Sequence, residues 1–278
     1  MVYLTQNGKL ISSGGVLMVS SVNSFPGSGG TPPPAGLDQS GITQTGLQGY
    51  FVAGSSVSYP GTGTTWFDVT TNNNDLTLQN GIAFDTTNDV SSFDLDGTDD
   101  IANGGDVLDW GTGDISIGWW IKADTVTAGY QYVQSKSATG NVASRYGTGI
   151  NNAAPFFFVM TTDTADGTML WESNTNISIN TWHYVVFTTD RANSQVNFYI
   201  DGQSVTATRN AAGADLDRTE GENINSTFPF WIGGTPQSDG VRVQLPFNGK
   251  VAELHWYNRR LSGTEVQDNY NGTKTFYE

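Results

Sequence analysis

Cysteine is absent from this 278-residue chain. Without it there is neither a disulfide frame nor a thiolate metal site, so the fold rests on its hydrophobic core. Charge is also scarce: Asp, Glu, Lys and Arg together make up 14% of the residues. What charge there is has one dominant sign, with 27 acidic against 12 basic side chains and a formal net charge of −15. Such a surface repels phosphates, which argues against nucleic acid or anionic membrane as a partner. No run of ~18 apolar residues occurs, so no segment inserts as a membrane-spanning helix. Histidine is limited to His183 and His255. Each lies beside a tryptophan in an aromatic stretch, and neither has Ser-His-Asp or metal-ligand spacing, so both are expected to serve packing.

Glycine is plentiful, at 34 residues, and aromatics reach 12%. Short apolar runs separated by Gly-rich turns point to an all-β chain. The clearest stretch is Ile179 to Thr206. Trp182 to Thr189 is rich in strand-forming residues. Gln195 to Ile200 alternates, with Val196, Phe198 and Ile200 on one face and Asn197 and Tyr199 on the other. Asp201-Gly202 predicts a type I′ hairpin, and Gln203 to Thr208 returns as the third strand of a meander. Ile115 to Ile121 alternates equally cleanly, with Ile115, Ile117, Trp119 and Ile121 on one side. Only one helix is predicted: Ser262 and Glu265 form a capping box, and Gly272 ends the segment.

Residues 1–22 read as a short β-meander arm with a hairpin at Asn7-Gly8. Three strands of ~5 residues do not stand alone. Val2, Leu4, Leu10, Ile11, Val16, Leu17 and Val19 therefore need a second surface, either the main domain or another chain. Residues 23–46 form a Gly/Ser/Pro linker with a polyproline element at Pro32 to Pro34. A linker in that place favours another chain, with the arm as an assembly anchor. Residues 47–278 form the main domain.

Four stretches of that domain resemble, in order, the laminin-G-like, concanavalin A-like lectin/glucanase domains. They are SYPGTGTTWFDVTTNNNDLTLQNG; SFDLDGTDDIANGGDVLDW with ISIGWWIKAD; TWHYVVFTTD with VNFYIDGQSV; and FWIGG with FNGKVAELHWYNRRLSGTEV. The resemblance implies a two-sheet antiparallel jelly-roll sandwich carrying the N-terminal arm and one short C-terminal helix. The first stretch is similar to phage and marine bacterial members. It implies a virion structural or adhesion protein, a capsid decoration or fibre-type component on the virion surface. Such a protein would touch other virion proteins through residues 1–22, form a homo-oligomer, and meet host surface glycans. The alternative is a soluble carbohydrate-binding module.

Catalysis is not expected. Glucanases of this fold carry E-x-D-x-x-E on one strand, because retaining hydrolysis uses two carboxyls about 5–5.5 Å apart. Glu172, Glu220, Glu222 and Glu253 all lack that pattern. Asp96, Asp99 and Asp100, with Asp94, form a cluster of hard oxygen ligands of the kind calcium takes. The competing reading is a hairpin at Asp96-Gly97 with the other carboxylates capping turns, and it is the one expected here. Asp163 and Asp166 are further candidates for the same site. No other cofactor is implied. Of the eight tryptophans, Trp66 and Trp171 fall nearest to loops and are the candidates for stacking on a glycan.

Overall fold

The computed structural model describes residues 4–6, 9–11, 17–18, 41–126, 129–137, 145–160, 168–211, 223–236 and 243–278. Two large antiparallel sheets face each other. In the eight-stranded sheet, the Asn248–Tyr257 strand is central. Along one side it pairs with Ser116–Ala123. Its other side is shared, with Ser92–Asp96 on the first half and Leu47–Val52 on the second. The nine-stranded sheet runs from Ala207–Ala211 through Thr168–Ser173, Ala154–Met160, Arg145–Asn151 and Tyr130–Lys136 to Phe230–Ile232, Ile101–Asn103, Leu76–Gln79 and Thr65–Trp66. The chain is thus an all-β jelly-roll sandwich with one short C-terminal helix.

Alternation decides which side chains fill the space between the sheets. Ile115, Ile117, Trp119 and Ile121 face the core with Val196, Phe198 and Ile200, as their period of two predicts. Trp120 and Tyr184 face outward into a second apolar cluster beneath the helix. Asp201 and Gly202 have φ of 51° and 75°, the pair of left-handed residues a type I′ turn requires. The strand predicted at Gln203 to Thr208 divides, however. Gln203–Val205 stays in the eight-stranded sheet, and Ala207–Ala211 crosses to the edge of the nine-stranded one.

The helix spans Gly263–Thr273 with the Ser262–Glu265 capping box in place. Gly272 is not its terminator. A Cβ there would lie 1.8 Å from the Gly41 carbonyl oxygen, so Gly272 exists for close backbone approach. Ile42 is buried beside the helix, and the Thr43 amide donates to Asn269 Oδ1 at 2.7 Å. Packing against the domain therefore reaches back to Gly41, ahead of the Leu47 strand. Leu4–Gln6, Lys9–Ile11 and Leu17–Met18 form a separate three-stranded sheet in the order of the sequence. Val2, Val16 and Val19 lie outside the described residues, as do Asp163, Asp166 and the side chains of Leu4, Leu10, Ile11 and Leu17.

Candidate binding face

The outer face of the nine-stranded sheet brings aromatic and polar groups together on three neighbouring strands and the Thr168–Ser173 strand beside them. Arg145–Asn151 reads RYGTGIN, and its alternation sends Tyr146, Thr148 and Ile150 inward while Gly147, Gly149 and Asn151 face out. Across the ladder, Tyr132, Gly149, Phe156 and Glu172 share one row. The two glycines have a steric reason. A Cβ on Gly147 would meet the Tyr132 ring at 2.7 Å, and one on Gly149 would meet the Gln131 carbonyl oxygen at 2.0 Å and the Phe156 ring at 2.8 Å. Without side chains, both positions let rings lie down over the sheet.

Phe156 is fully buried and meets Tyr130 and Tyr132 edge-on, at centroid distances of 5.1 and 5.0 Å. Tyr132 also contacts Phe158, which the Arg145 guanidinium overlies at 5.5 Å. Glu172 closes one end of the strip. Its carboxylate accepts from Asn151 Nδ2 at 2.5 Å and from the Tyr130 hydroxyl. Burial, reinforced by Glu172, pushes the Tyr130 phenol up to about 12. Burial also raises Tyr132 to about 12, against the pull of Arg145. Both remain protonated donors at any physiological pH. The half-buried groups of this face are thus hydroxyl, amide and carboxylate above an aromatic floor. The Gly-x-Gly strand beside the FFF run was the sequence signal for it.

The two tryptophans expected to stack on a glycan are elsewhere. Trp66 is 1% exposed and packs against Phe51 and Phe93. Trp171 is 4% exposed and faces the core beside Phe157. Their strands alternate, and each falls on an inward position, so neither offers a ring to a ligand. Proximity to a loop was a poor guide, because orientation on the strand decides exposure.

Asp96, Asp99 and Asp100 do converge, with one carboxylate oxygen of each within 4.8 Å of the others. The turn that carries them uses the same groups. Asp96 Oδ1 accepts from the Thr98 amide, and Asp100 Oδ2 accepts from the Asp96 amide. Burial raises the Asp100 carboxyl above its usual range, and Asp96, Asp99 and Asp94 add repulsion. The donor set is all hard oxygen, which fits calcium or magnesium in chemistry. Turn capping accounts for the bonds that are formed.

His183 and His255 are tethers within the fold. His183 Nε2 accepts from the Ser178 amide, so its Nδ1–H donates to Asp201 Oδ2 at 2.8 Å and pins the Asp201-Gly202 turn. His255 is fully buried between Glu253 Oε1, 2.7 Å away, and the Tyr184 hydroxyl. Tyr277 reaches the other Glu253 oxygen. This network lies under the helix on the opposite side of the sandwich from the Tyr130–Glu172 strip.

Solved structures with this architecture include Trypanosoma rangeli sialidase in complex with sialic acid. It is 17% identical with a TM-score of 0.52 over 84% of this chain, which spans only 34% of the sialidase. Domain 4 of AbnA, an extracellular arabinanase from Geobacillus stearothermophilus, was solved with arabinotriose. It is 15% identical with a TM-score of 0.54 over 81% of this chain and 98% of that domain. The binding domain of botulinum neurotoxin serotype D is 12% identical with a TM-score of 0.54, over 82% of this chain and 51% of that one. At these identities the likeness is one of fold. No curated protein matches the chain in sequence. Residues 95–267 match the Laminin_G_3 family model, so the chain belongs to that family of the concanavalin A-like lectin/glucanases superfamily.

Proposed function

We propose that this chain is a non-catalytic carbohydrate-binding domain and that its ligand lies on the outer face of the nine-stranded sheet. The observation that carries this reading is the half-buried Tyr130–Asn151–Glu172 hydrogen-bonded group beside the half-buried Tyr132 ring, with the buried Phe156 and Phe158 as its support beneath. Sugars are recognised by such pairings, with C–H faces on aromatic rings and hydroxyls on amide and carboxylate groups. The family and the arabinotriose-bound Geobacillus domain support the same class of ligand.

The non-catalytic part of the proposal rests on where the acids of the described residues stand. Glu172 shares its row with Phe156, Gly149 and Tyr132, and its strand neighbours are Leu170, Trp171 and Ser173. None of these is the second carboxyl that glycoside hydrolysis uses. Asp96, Asp99 and Asp100 approach the right spacing, but they belong to one tight turn between strands, and the Asp96 and Asp100 carboxylates accept from that turn's own amides.

The test is titration calorimetry with arabinotriose, cellotriose and 3′-sialyllactose, repeated on Tyr130→Ala and Asn151→Ala. Saturable binding of one sugar that both substitutions weaken supports the reading. Binding to none of them, or binding unaffected by either change, refutes it. Release of reducing sugar by the wild-type chain would refute the non-catalytic part alone.

Display on a virion surface is the second reading. The separate three-stranded sheet of Leu4–Gln6, Lys9–Ile11 and Leu17–Met18 favours it, because an arm of that size needs a neighbour to hold it. Mass spectrometry of purified virions that lacks this chain would set it aside.

A further inference from the structure

Ten residues other than glycine have positive φ among the described residues. Seven are Asn, Asp or Ser, which tolerate the left-handed region in turns, and Ala153 sits beside Asn152 in a hairpin. The remaining two are leucines. Leu108, at φ 54°, is 6% exposed and packs in the core, so burial of its side chain offsets the strain. Leu245, at φ 50°, is 43% exposed and has no such compensation. A branched apolar residue there combines left-handed backbone strain with an apolar side chain that is nearly half exposed.

Position gives Leu245 its meaning. Its carbonyl oxygen accepts from the Tyr132 amide at 2.9 Å, and the adjoining Pro246 bridges to Tyr132. Leu245 therefore stands at the border of the Tyr132–Phe156 strip. The carbonyl's role is open to any residue, including glycine or asparagine, which would relieve the strain. Only the isobutyl group is particular to leucine.

We propose that Leu245 is a ligand-contacting residue of this face, an apolar wall against the C–H edge of a neutral sugar unit stacked beside Tyr132. This rests on the carbohydrate-binding reading above. A neutral ligand fits the charges: Glu172 accepts hydroxyl protons and repels carboxylates, and the chain carries a net charge of −15. Strain kept at an exposed apolar position is the pattern expected where binding, rather than folding, selects the residue.

The experiment uses Leu245→Gly and Leu245→Asn in the full chain, with arabinotriose and cellotriose as probes and melting temperature as the second readout. Both variants should melt within about 3 °C of wild type. Both should bind on the order of tenfold more weakly, the worth of roughly two methylene contacts. Wild-type affinity in both variants would overturn the role of Leu245 while leaving the binding face intact, provided Tyr130→Ala still weakens binding. A melting temperature lowered by more than about 5 °C in both would overturn it by showing a structural role. A wild-type chain that binds 3′-sialyllactose but neither neutral probe overturns the neutral-sugar role of Leu245 alone, and one that binds none of the three overturns the binding face with it.

Discussion

Replacing Tyr277 by phenylalanine isolates one bond of the network under the C-terminal helix. Glu253 is 1% exposed, on the central strand. Its carboxylate meets His255 Nε2 and the Tyr277 hydroxyl, each at 2.7 Å, and the Tyr50 hydroxyl is its third partner. Burial and Glu253 together push the Tyr277 phenol well up, so it donates at every accessible pH. Phenylalanine keeps the stack on Trp120, whose centroid is 4.3 Å away, and loses only the donor. A hydrogen bond to a charged group contributes about 1.5–3 kcal/mol, and the two remaining donors soften the loss to about 1–2 kcal/mol. For a domain of this size that lowers the melting temperature by about 2–8 °C. Urea denaturation followed by tryptophan fluorescence reads the free energy directly. Tyr270→Phe is the control, because its 2.6 Å bond to Glu278 is exposed and should be worth less than about 0.5 kcal/mol. Equal effects of the two substitutions, or a Tyr277→Phe loss below about 0.3 kcal/mol, would refute the reasoning. A cycle with Glu253→Gln should show coupling of about 1 kcal/mol or more.

Three further outcomes are expected. Trp66→Ala should cost about 3–5 kcal/mol by calorimetry and leave sugar affinity at its wild-type value, because the ring is core; preserved stability would contradict its burial. Glu265 is held down to about 2, chiefly by its hydrogen bond from Arg259. A lowered carboxyl stabilises the fold above its unfolded value near 4.5 and loses that contribution as pH falls toward 2. Glu265→Gln should therefore cost about 1–2 kcal/mol at neutral pH after screening and flatten that acid limb, which melting curves across pH will show. A chain starting at Gly41 should melt like the full domain. One starting at Leu47 should lose about 2–4 kcal/mol with Ile42 and the Thr43–Asn269 bond, and equal melting of the two would show that residues 41–46 hold nothing.

The alternation of Ile115 to Ile121 and of Val196 to Ile200, the Asp201-Gly202 turn and the Ser262–Glu265 box were all legible in the sequence. Each depends on contacts a few residues apart, where the period of a strand or the geometry of a cap leaves one outcome. The absence of cysteine was enough to place all cohesion in the core. What the sequence left open depends on pairings between distant residues. Gly272 looked like a helix end until Gly41 was found against it. Trp66 and Trp171 looked available beside loops until their strands were seen to turn them inward. Glu172, Asn151 and Tyr130 are separated by 21 residues on either side of Asn151, and only the strand register brings them into one hydrogen-bonded group. A face of that kind is a property of register, because a shift of one residue would send every side chain of it to the other side of the sheet.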